Sequence, residues 1–165
     1  MKITDIALQD IVKMFRKILI VSLLLCLSTS CDENITSSIP YAPVSLILDL
    51  AGTDNSLNCS LSYKEYTMPR LATDRLGYGG LLVTNGFGEN IVNLYAYDLA
   101  CPNEAQANIK IKPDPEENGL AICPHCGAVY RIAFGGNPVS GSKFYLKQYR
   151  VVAVQGSETR FRVIN

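Results

Sequence analysis

Short apolar runs separated by turn-forming residues occupy most of the chain from residue 44 onward, and none keeps a helical spacing. Such runs are typical of strands, whereas an amphipathic helix needs apolar residues every three or four positions over several turns. The pattern predicts strands at 44–50, 59–63, 81–84, 91–97, 107–111, 120–122, 129–133, 148–154 and 159–164. We therefore expect an all-β domain made of several short antiparallel sheets.

Turn residues between these runs predict how some of the strands pair. Asn85-Gly86-Phe87-Gly88 separates two predicted strands, and Asn and Gly tolerate the positive φ that a tight hairpin turn requires. A second hairpin is predicted around residues 155–158, between the last two strands. Two further strands bracket a Cys-rich loop.

The first 30 residues have a different pattern, which indicates a signal peptide. A basic segment begins at Met14 and is followed by an apolar stretch at 18–27, small residues at 28–30 and then Cys31. An apolar stretch of this length is too short to span a bilayer, and the order is that of a lipoprotein signal peptide. Met14 is then the expected translation start, and Cys31 is the expected lipid-modified N-terminus.

The segment departs from the usual lipoprotein signal at one position, because Ser28 stands where this class of signal usually has Leu. An uncleaved anchor and an ordinary secretory signal are the alternatives. Residues 31–43 are polar with two prolines, and we expect them to tether the lipid to a domain at 44–165. Acyl chains on Cys31 would hold that domain at a bacterial membrane in the cell envelope, the outer membrane being favoured, facing the periplasm or the cell surface.

The charge balance narrows the classes of function. Fifteen basic and fifteen acidic residues cancel, so no basic footprint for nucleic acid is present. The glycines at 135, 136 and 141 precede no predicted helix, which argues against a nucleotide-binding loop. We find no Ser–His–Asp set and no paired carboxylates, and Asp98 is expected to be a turn or rim residue. An enzyme is therefore not expected, apart from a redox site.

Four cysteines remain in the expected mature chain besides Cys31, namely Cys59, Cys101, Cys123 and Cys126. In a compartment that permits disulfides they could form two bridges, one bridge and two free thiols, or a metal site. The chain has a single histidine, His125, so no site can use two of its own imidazoles.

Three segments carry a family resemblance by their order. They are 96–103 (AYDLACPN), 123–130 (CPHCGAVY) and 135–141 (GGNPVSG), and 145–151 (YLKQYRV) follows. Here the chain resembles the Rieske iron–sulfur family, whose pattern is a Cys-x-His loop, a Cys-Pro-x-His-Gly-Ser loop and a Gly-Pro-rich loop. The resemblance implies a small Rieske-like β domain with a site at the tips of its loops.

The resemblance also implies which residues would form that site. Cys101 and Cys123 match the two cysteine ligands of the family, while Asn103 and Cys126 stand at its two histidine positions. A Rieske centre holds one iron by two thiolates and the other by two imidazoles, so the usual ligand set cannot form here.

Three interpretations of the site stay open. Cys101, Cys123 and Cys126 could bind a [2Fe–2S] cluster and transfer electrons to a protein partner, with Asn103, His125, Cys59 or an outside group as fourth ligand. The same thiolates could bind Zn²⁺, which accepts such sites. In the third, no metal binds, a disulfide closes the site, and the domain is a cofactor-free binding or accessory module.

Cys123-Pro124-His125-Cys126 has one further interpretation. The tetrapeptide resembles the active site of a periplasmic thiol oxidase of thioredoxin fold, in which a helix N-terminus lowers the pKa of the first thiol. Here Gly127 follows the motif and residues 129–133 are predicted as a strand, so the helix dipole is not expected. A thiol–disulfide oxidoreductase is the second alternative function.

Overall fold

The computed structural model describes residues 37–88 and 92–165. The predicted signal peptide, the lipidation site Cys31 and the first part of the tether lie outside these residues. Within them the domain is all-β, as predicted. The described residues form eleven strands, which are β1 (Val44–Asp49), β2 (Tyr63–Tyr66), β3 (Arg75–Leu76), β4 (Leu81–Asn85), β5 (Leu94–Asp98), β6 (Lys112–Pro113), β7 (Leu120–Ile122), β8 (Val129–Arg131), β9 (Asn137–Ser140), β10 (Gln148–Ala153) and β11 (Arg160–Ile164).

The strands form two antiparallel sheets. The larger sheet has the order β2-β4-β5-β10-β11-β1-β3 and is nearly closed, and the smaller has the order β6-β7-β8-β9. Both predicted hairpins are confirmed, since β4 pairs with β5 and β10 pairs with β11. The strand after the first turn begins at Leu94 rather than at residue 91.

Strands β4 and β5 separate two hydrophobic clusters because successive side chains of a strand point to opposite faces. Leu81, Val83 and Ala96 pack into the first cluster, inside the larger sheet, whereas Leu82 and Tyr97 pack into the second. The second cluster also contains residues of the smaller sheet and of the loops at its end, namely Leu99, Cys101, Ile111, Ala121, Cys123, Ala128, Tyr130, Ile132 and Leu146. Two of the candidate ligands therefore stand on a packed core.

The predicted strand at 59–63 is wrong. Residues Asn55–Asn58 form a short 3₁₀ helix, and the next strand starts at Tyr63. Leu57 is fully buried, the Asn58 amide donates to the Leu50 carbonyl at 2.9 Å, and Leu61 has a φ of 59°. The left-handed φ of Leu61 is incompatible with the extended chain that the alternation suggested.

The predicted strand at 107–111 is also wrong. This segment pairs with the chain after β5 only through an isolated bridge between Ala100 and Lys110. The Cys101 loop turns away directly after Ala100, so the pairing cannot continue as a ladder, and the next strand is the two-residue β6.

Within the described residues there is no helix long and apolar enough to cross a membrane.

Candidate metal centre

The first cysteine loop begins at the end of β5, where Asp98 carries a buried carboxylate. Asp98 is fully buried, and its carboxylate accepts hydrogen bonds from the backbone N–H groups of Tyr78, Gly79 and Ala100 at 2.7–2.9 Å. It also accepts one from the Tyr149 hydroxyl at 2.7 Å. The expectation that Asp98 lies at the rim is therefore wrong. These four hydrogen bonds fix the position of the chain just before Cys101.

Cys101 itself begins a tight turn. Its carbonyl accepts hydrogen bonds from the N–H groups of Glu104 and Ala105 at 3.2 and 2.9 Å, and Ala105 adopts a φ of 52°. Its own N–H donates to the Ile109 carbonyl at 2.9 Å. These bonds on both sides hold the Cys101 side chain inward, where it is fully buried.

The second cysteine loop is the turn between β7 and β8. The N–H of Cys123 donates to the Ala128 carbonyl, and the N–H of Gly127 donates to the Cys123 carbonyl, both at 2.9 Å. Gly127 has a φ of 71°, a conformation that glycine adopts without steric cost. The turn directs the fully buried Cys123 and the solvent-exposed Cys126 to the same side.

The third loop follows β9 and crosses close to the second. A Cβ on Gly141 would lie 3.0 Å from the Ala128 Cα, so only glycine fits this crossing. The Gly141 carbonyl accepts a hydrogen bond from the Asn103 amide nitrogen at 2.7 Å, and the Asn103 amide oxygen accepts one from Ser142 at 2.7 Å. Asn103 thus ties the first loop to the third.

Three sulfur atoms meet where these loops converge. The Sγ atoms of Cys101, Cys123 and Cys126 all lie within 4.8 Å of one another, and those of Cys101 and Cys126 are 3.6 Å apart. These three and Cys59 are free thiols in the structure. A tetrahedral ion with metal–sulfur bonds of about 2.3 Å separates its thiolates by about 3.8 Å. The three cysteines are therefore spaced so that they could hold one metal ion.

The thiols of Cys101 and Cys126 differ in acidity. Burial, followed by a hydrogen bond to Cys123, raises the pKa of the Cys101 thiol to about 12. Burial also opposes ionisation of Cys126, but hydrogen bonds from the Ala128 N–H, the Asn103 amide and the neighbouring thiols outweigh it and lower the pKa of Cys126. The accessible thiol is therefore the acidic one, and the buried thiol stays protonated until a cation replaces its proton.

Tyr130 is a further residue of the site. Its hydroxyl lies 3.8 Å from the Cys101 Sγ and is buried, and burial is the main cause that raises its pKa. Its signal in the sequence is its position, since it lies in β8, four residues after Cys126. A neutral phenol beside a sulfur can donate a weak hydrogen bond to a thiolate.

Two candidate fourth ligands lie away from the sulfurs. The His125 Nδ1 is 3.0 Å from a carboxylate oxygen of Glu104, and neither His125 nitrogen belongs to the group of ligand atoms within 4.8 Å. Cys59 is exposed at the end of the 3₁₀ helix and is also outside that group. Asn103 is close, with its amide nitrogen 3.5 Å from the Cys126 Sγ.

The Cys123–Cys126 motif is followed by a strand. Val129–Arg131 forms β8, so the motif does not precede a helix in the described part of the chain. The helix dipole that acidifies the first thiol of thioredoxin-type sites does not act here. The acidic thiol is instead the second one, Cys126.

Comparison with known proteins assigns the chain to no family. No protein-family model matches the chain, and no curated protein sequence matches it. The geometry of the three cysteines is therefore the observation from which a function can be inferred.

Proposed function

We propose that this chain is a lipid-anchored protein of the bacterial cell envelope whose β domain binds one thiophilic metal ion through Cys101, Cys123 and Cys126. The observation that carries the proposal is the convergence of three sulfurs within 4.8 Å from two separate loops. Thiolate ligands select soft or borderline ions, and Zn²⁺ is the common divalent ion that accepts three of them.

The spacing of the sulfurs favours one ion over the cluster of a Rieske centre. In such a centre Cys126, at a histidine position, would bind the second iron, while Cys101 binds the first. Terminal ligands on different irons point outward from the two ends of the cluster, so they lie farther apart than two ligands on one ion. The 3.6 Å between the Cys101 and Cys126 sulfurs instead suits two thiolates on a single ion.

Electron transfer through a [2Fe–2S] cluster is the second candidate function. It is supported by the three loops, which occur in the order that the resemblance implies and meet at one end of the domain. A third thiolate in place of an imidazole would lower the reduction potential of such a cluster, because it adds negative charge.

The tether supports a membrane-facing position for the site. The Ser38 hydroxyl donates a hydrogen bond to the Pro102 carbonyl, in the residue that follows Cys101. The chain from Cys31 to Ser38 can span at most about 25 Å. If Cys31 carries the lipid, the metal-binding end therefore lies within that distance of the bilayer, and a membrane-associated protein is the expected partner.

Metal analysis of the purified chain tests the proposal. We expect the wild-type protein, prepared without oxygen and in detergent, to bind one zinc ion and no acid-labile sulfide. Cys101→Ser, Cys123→Ser and Cys126→Ser should each weaken zinc binding at least tenfold, because each removes a ligand. Cys59→Ser is the matched control and should bind zinc like the wild type.

Other results would select the alternatives. Two irons and two sulfides per chain would replace the zinc proposal with electron transfer. A metal-free protein with Cys101 bridged to Cys126 would support the cofactor-free module, in which the 3.6 Å sulfur pair closes as a disulfide.

A further inference from the structure

The Asn103 side chain cannot offer its oxygen to an ion without breaking its present hydrogen bonds. The atom 2.7 Å from the Gly141 carbonyl must be the amide nitrogen, because a carbonyl can only accept. The oxygen is therefore the atom that accepts from Ser142 at 2.7 Å. What faces Cys126 is an N–H group, which stabilises a thiolate and does not bind a cation.

His125 is directed away from the sulfurs. Its Nδ1 is engaged with Glu104 at 3.0 Å, and 61% of its side chain is exposed. Glu104 belongs to the turn that starts at Cys101, so this hydrogen bond links the two cysteine loops from the outside. No further His, Cys, Asp or Glu of the described residues joins the three cysteines within 4.8 Å.

The outer face of the sulfur cluster is open. Pro124, His125, Cys126 and Gly127 are all exposed, and a Cβ on Gly127 would have nothing within 4 Å. A molecule from solution can therefore approach the ion on the side of Cys126. The Cys101 and Cys123 sulfurs close the opposite side because they are buried in the core.

We infer that the bound ion keeps its fourth coordination position for a small-molecule thiol. The inference rests on the proposed function and adds the ligand class of the same site. Three protein ligands with one open position are typical of zinc sites that exchange ligands, whereas structural sites are closed by four. A thiolate is the donor whose softness matches the three already present.

The exchange involves no oxidation. The thiol gives up its proton to solvent, its sulfur bonds to the ion, and the water molecule that held the fourth position leaves. The ion keeps its charge, and the three cysteine bonds stay intact. Each thiol bound therefore releases one proton and one water.

Cobalt substitution of the full-length chain tests this inference. Co²⁺ gives a thiolate-to-metal charge-transfer band whose intensity follows the number of bound sulfurs. Titration with 2-mercaptoethanol should raise that intensity saturably by about one third in the wild type, as three sulfurs become four. Asn103→Cys should start near the higher intensity and not respond, since it supplies a fourth thiolate at a position next to the cluster, where the Asn103 amide nitrogen lies 3.5 Å from the Cys126 Sγ.

Two further variants keep the test decisive if Asn103→Cys fails to fold. Cys59→Ser and His125→Gln should bind cobalt and respond to the thiol like the wild type. A changed cobalt spectrum in either variant before thiol is added would show a fourth protein ligand and overturn the inference. So would a wild-type spectrum that binds cobalt but ignores the thiol. A wild-type chain that takes up no cobalt would instead contradict the proposed function itself.

Discussion

At the scale of single residues, the three sulfurs are chemically unequal. Cys101 and Cys123 are fully buried, whereas Cys126 is exposed. The pKa of Cys101 is raised and that of Cys126 is lowered, mainly because the first has lost solvent and the second accepts hydrogen bonds from Ala128 and Asn103. In the proposed site, an entering metal ion would therefore meet the more acidic thiol of Cys126 first and displace the proton of Cys101 afterwards.

This difference predicts the order of alkylation in the metal-free protein. At neutral pH, iodoacetamide should modify Cys126 at least tenfold faster than Cys101, because only the thiolate reacts and Cys101 is both buried and protonated. Mass spectrometry of peptides sampled over time measures the two rates. The exposed Cys59 serves as the internal reference. Equal rates for Cys101 and Cys126 in the folded protein would contradict the assigned geometry, and bound zinc should protect both.

At the scale of elements, the carboxylate of Asp54, in the segment after β1, forms hydrogen bonds with side chains of β2. Asp54 is fully buried, and it accepts hydrogen bonds from Lys64 and Tyr66 at 2.9 Å and from Arg70 at 3.0 Å. It also accepts one from the Asp49 N–H at 2.9 Å. Burial acts to raise its pKa, but these bonds outweigh burial and lower the pKa of Asp54 to about 2.

The depressed pKa predicts how stability depends on pH. The carboxylate stabilises the folded state above its unfolded pKa of 3.8, and this contribution disappears as pH falls through the folded value of about 2. Asp54→Asn should therefore lower the free energy of unfolding by about 2 kcal/mol at neutral pH. The difference from the wild type should shrink between pH 4 and pH 2, as measured by urea unfolding.

Glu65→Gln is the control for this prediction, since it removes the same charge from an exposed position of β2, the strand that carries two of the Asp54 partners. It should leave the free energy of unfolding close to the wild-type value. A loss in Asp54→Asn that persists unchanged at pH 2 would show that the asparagine disturbs packing, and that the carboxylate charge is not the cause.

At the scale of the whole molecule, the end of the tether and the sulfur cluster share one side of the domain. Ser38 contacts Pro102, next to Cys101. In the proposed lipoprotein, only the short chain from Cys31 to Ser38 would connect the lipid to the site, and this length would limit how far the site can lie from the bilayer.

The proposed anchor predicts where the protein is found. Cys31→Ser should move the protein from the membrane to the soluble envelope fraction, because the acyl chains can no longer attach. Fractionation with immunoblotting measures the change, and the mass of the N-terminal peptide reports the acyl groups. Cys59→Ser should stay in the membrane fraction. Persistent membrane association of Cys31→Ser would contradict lipidation at that residue.

Strands with a clear apolar run were predictable from the pattern alone, whether their side chains alternate in burial, as in β1, or are buried on both faces, as in β4. β1, β4, β10 and β11 lie where the apolar pattern placed them. β9 was missed because it carries Pro138 and ends on exposed residues, so its pairing depends on β8 rather than on its own composition. The 3₁₀ helix Asn55–Asn58 was not predicted, because a single buried Leu gives no periodic pattern of apolar residues.

The candidate ligands were identifiable from the spacing of cysteines and from a family resemblance, but their arrangement was not. The burial of Asp98 depends on donors from Tyr78, Gly79 and Tyr149, which only the fold brings to one carboxylate. Likewise, the chain order left Asn103, His125 and Cys59 as equal candidates for the fourth ligand.

The local order of residues was enough to specify most of the longer strands, the two hairpin turns and the kinds of atoms that could bind a metal, because these depend on neighbours along the chain. Contacts between distant loops decided the rest. They set the 3.6 Å between the sulfurs of Cys101 and Cys126, turned His125 outward to Glu104, and committed both atoms of the Asn103 amide to the third loop. Coordination is a property of positions in space, so it emerges only when the loops are packed on a common core.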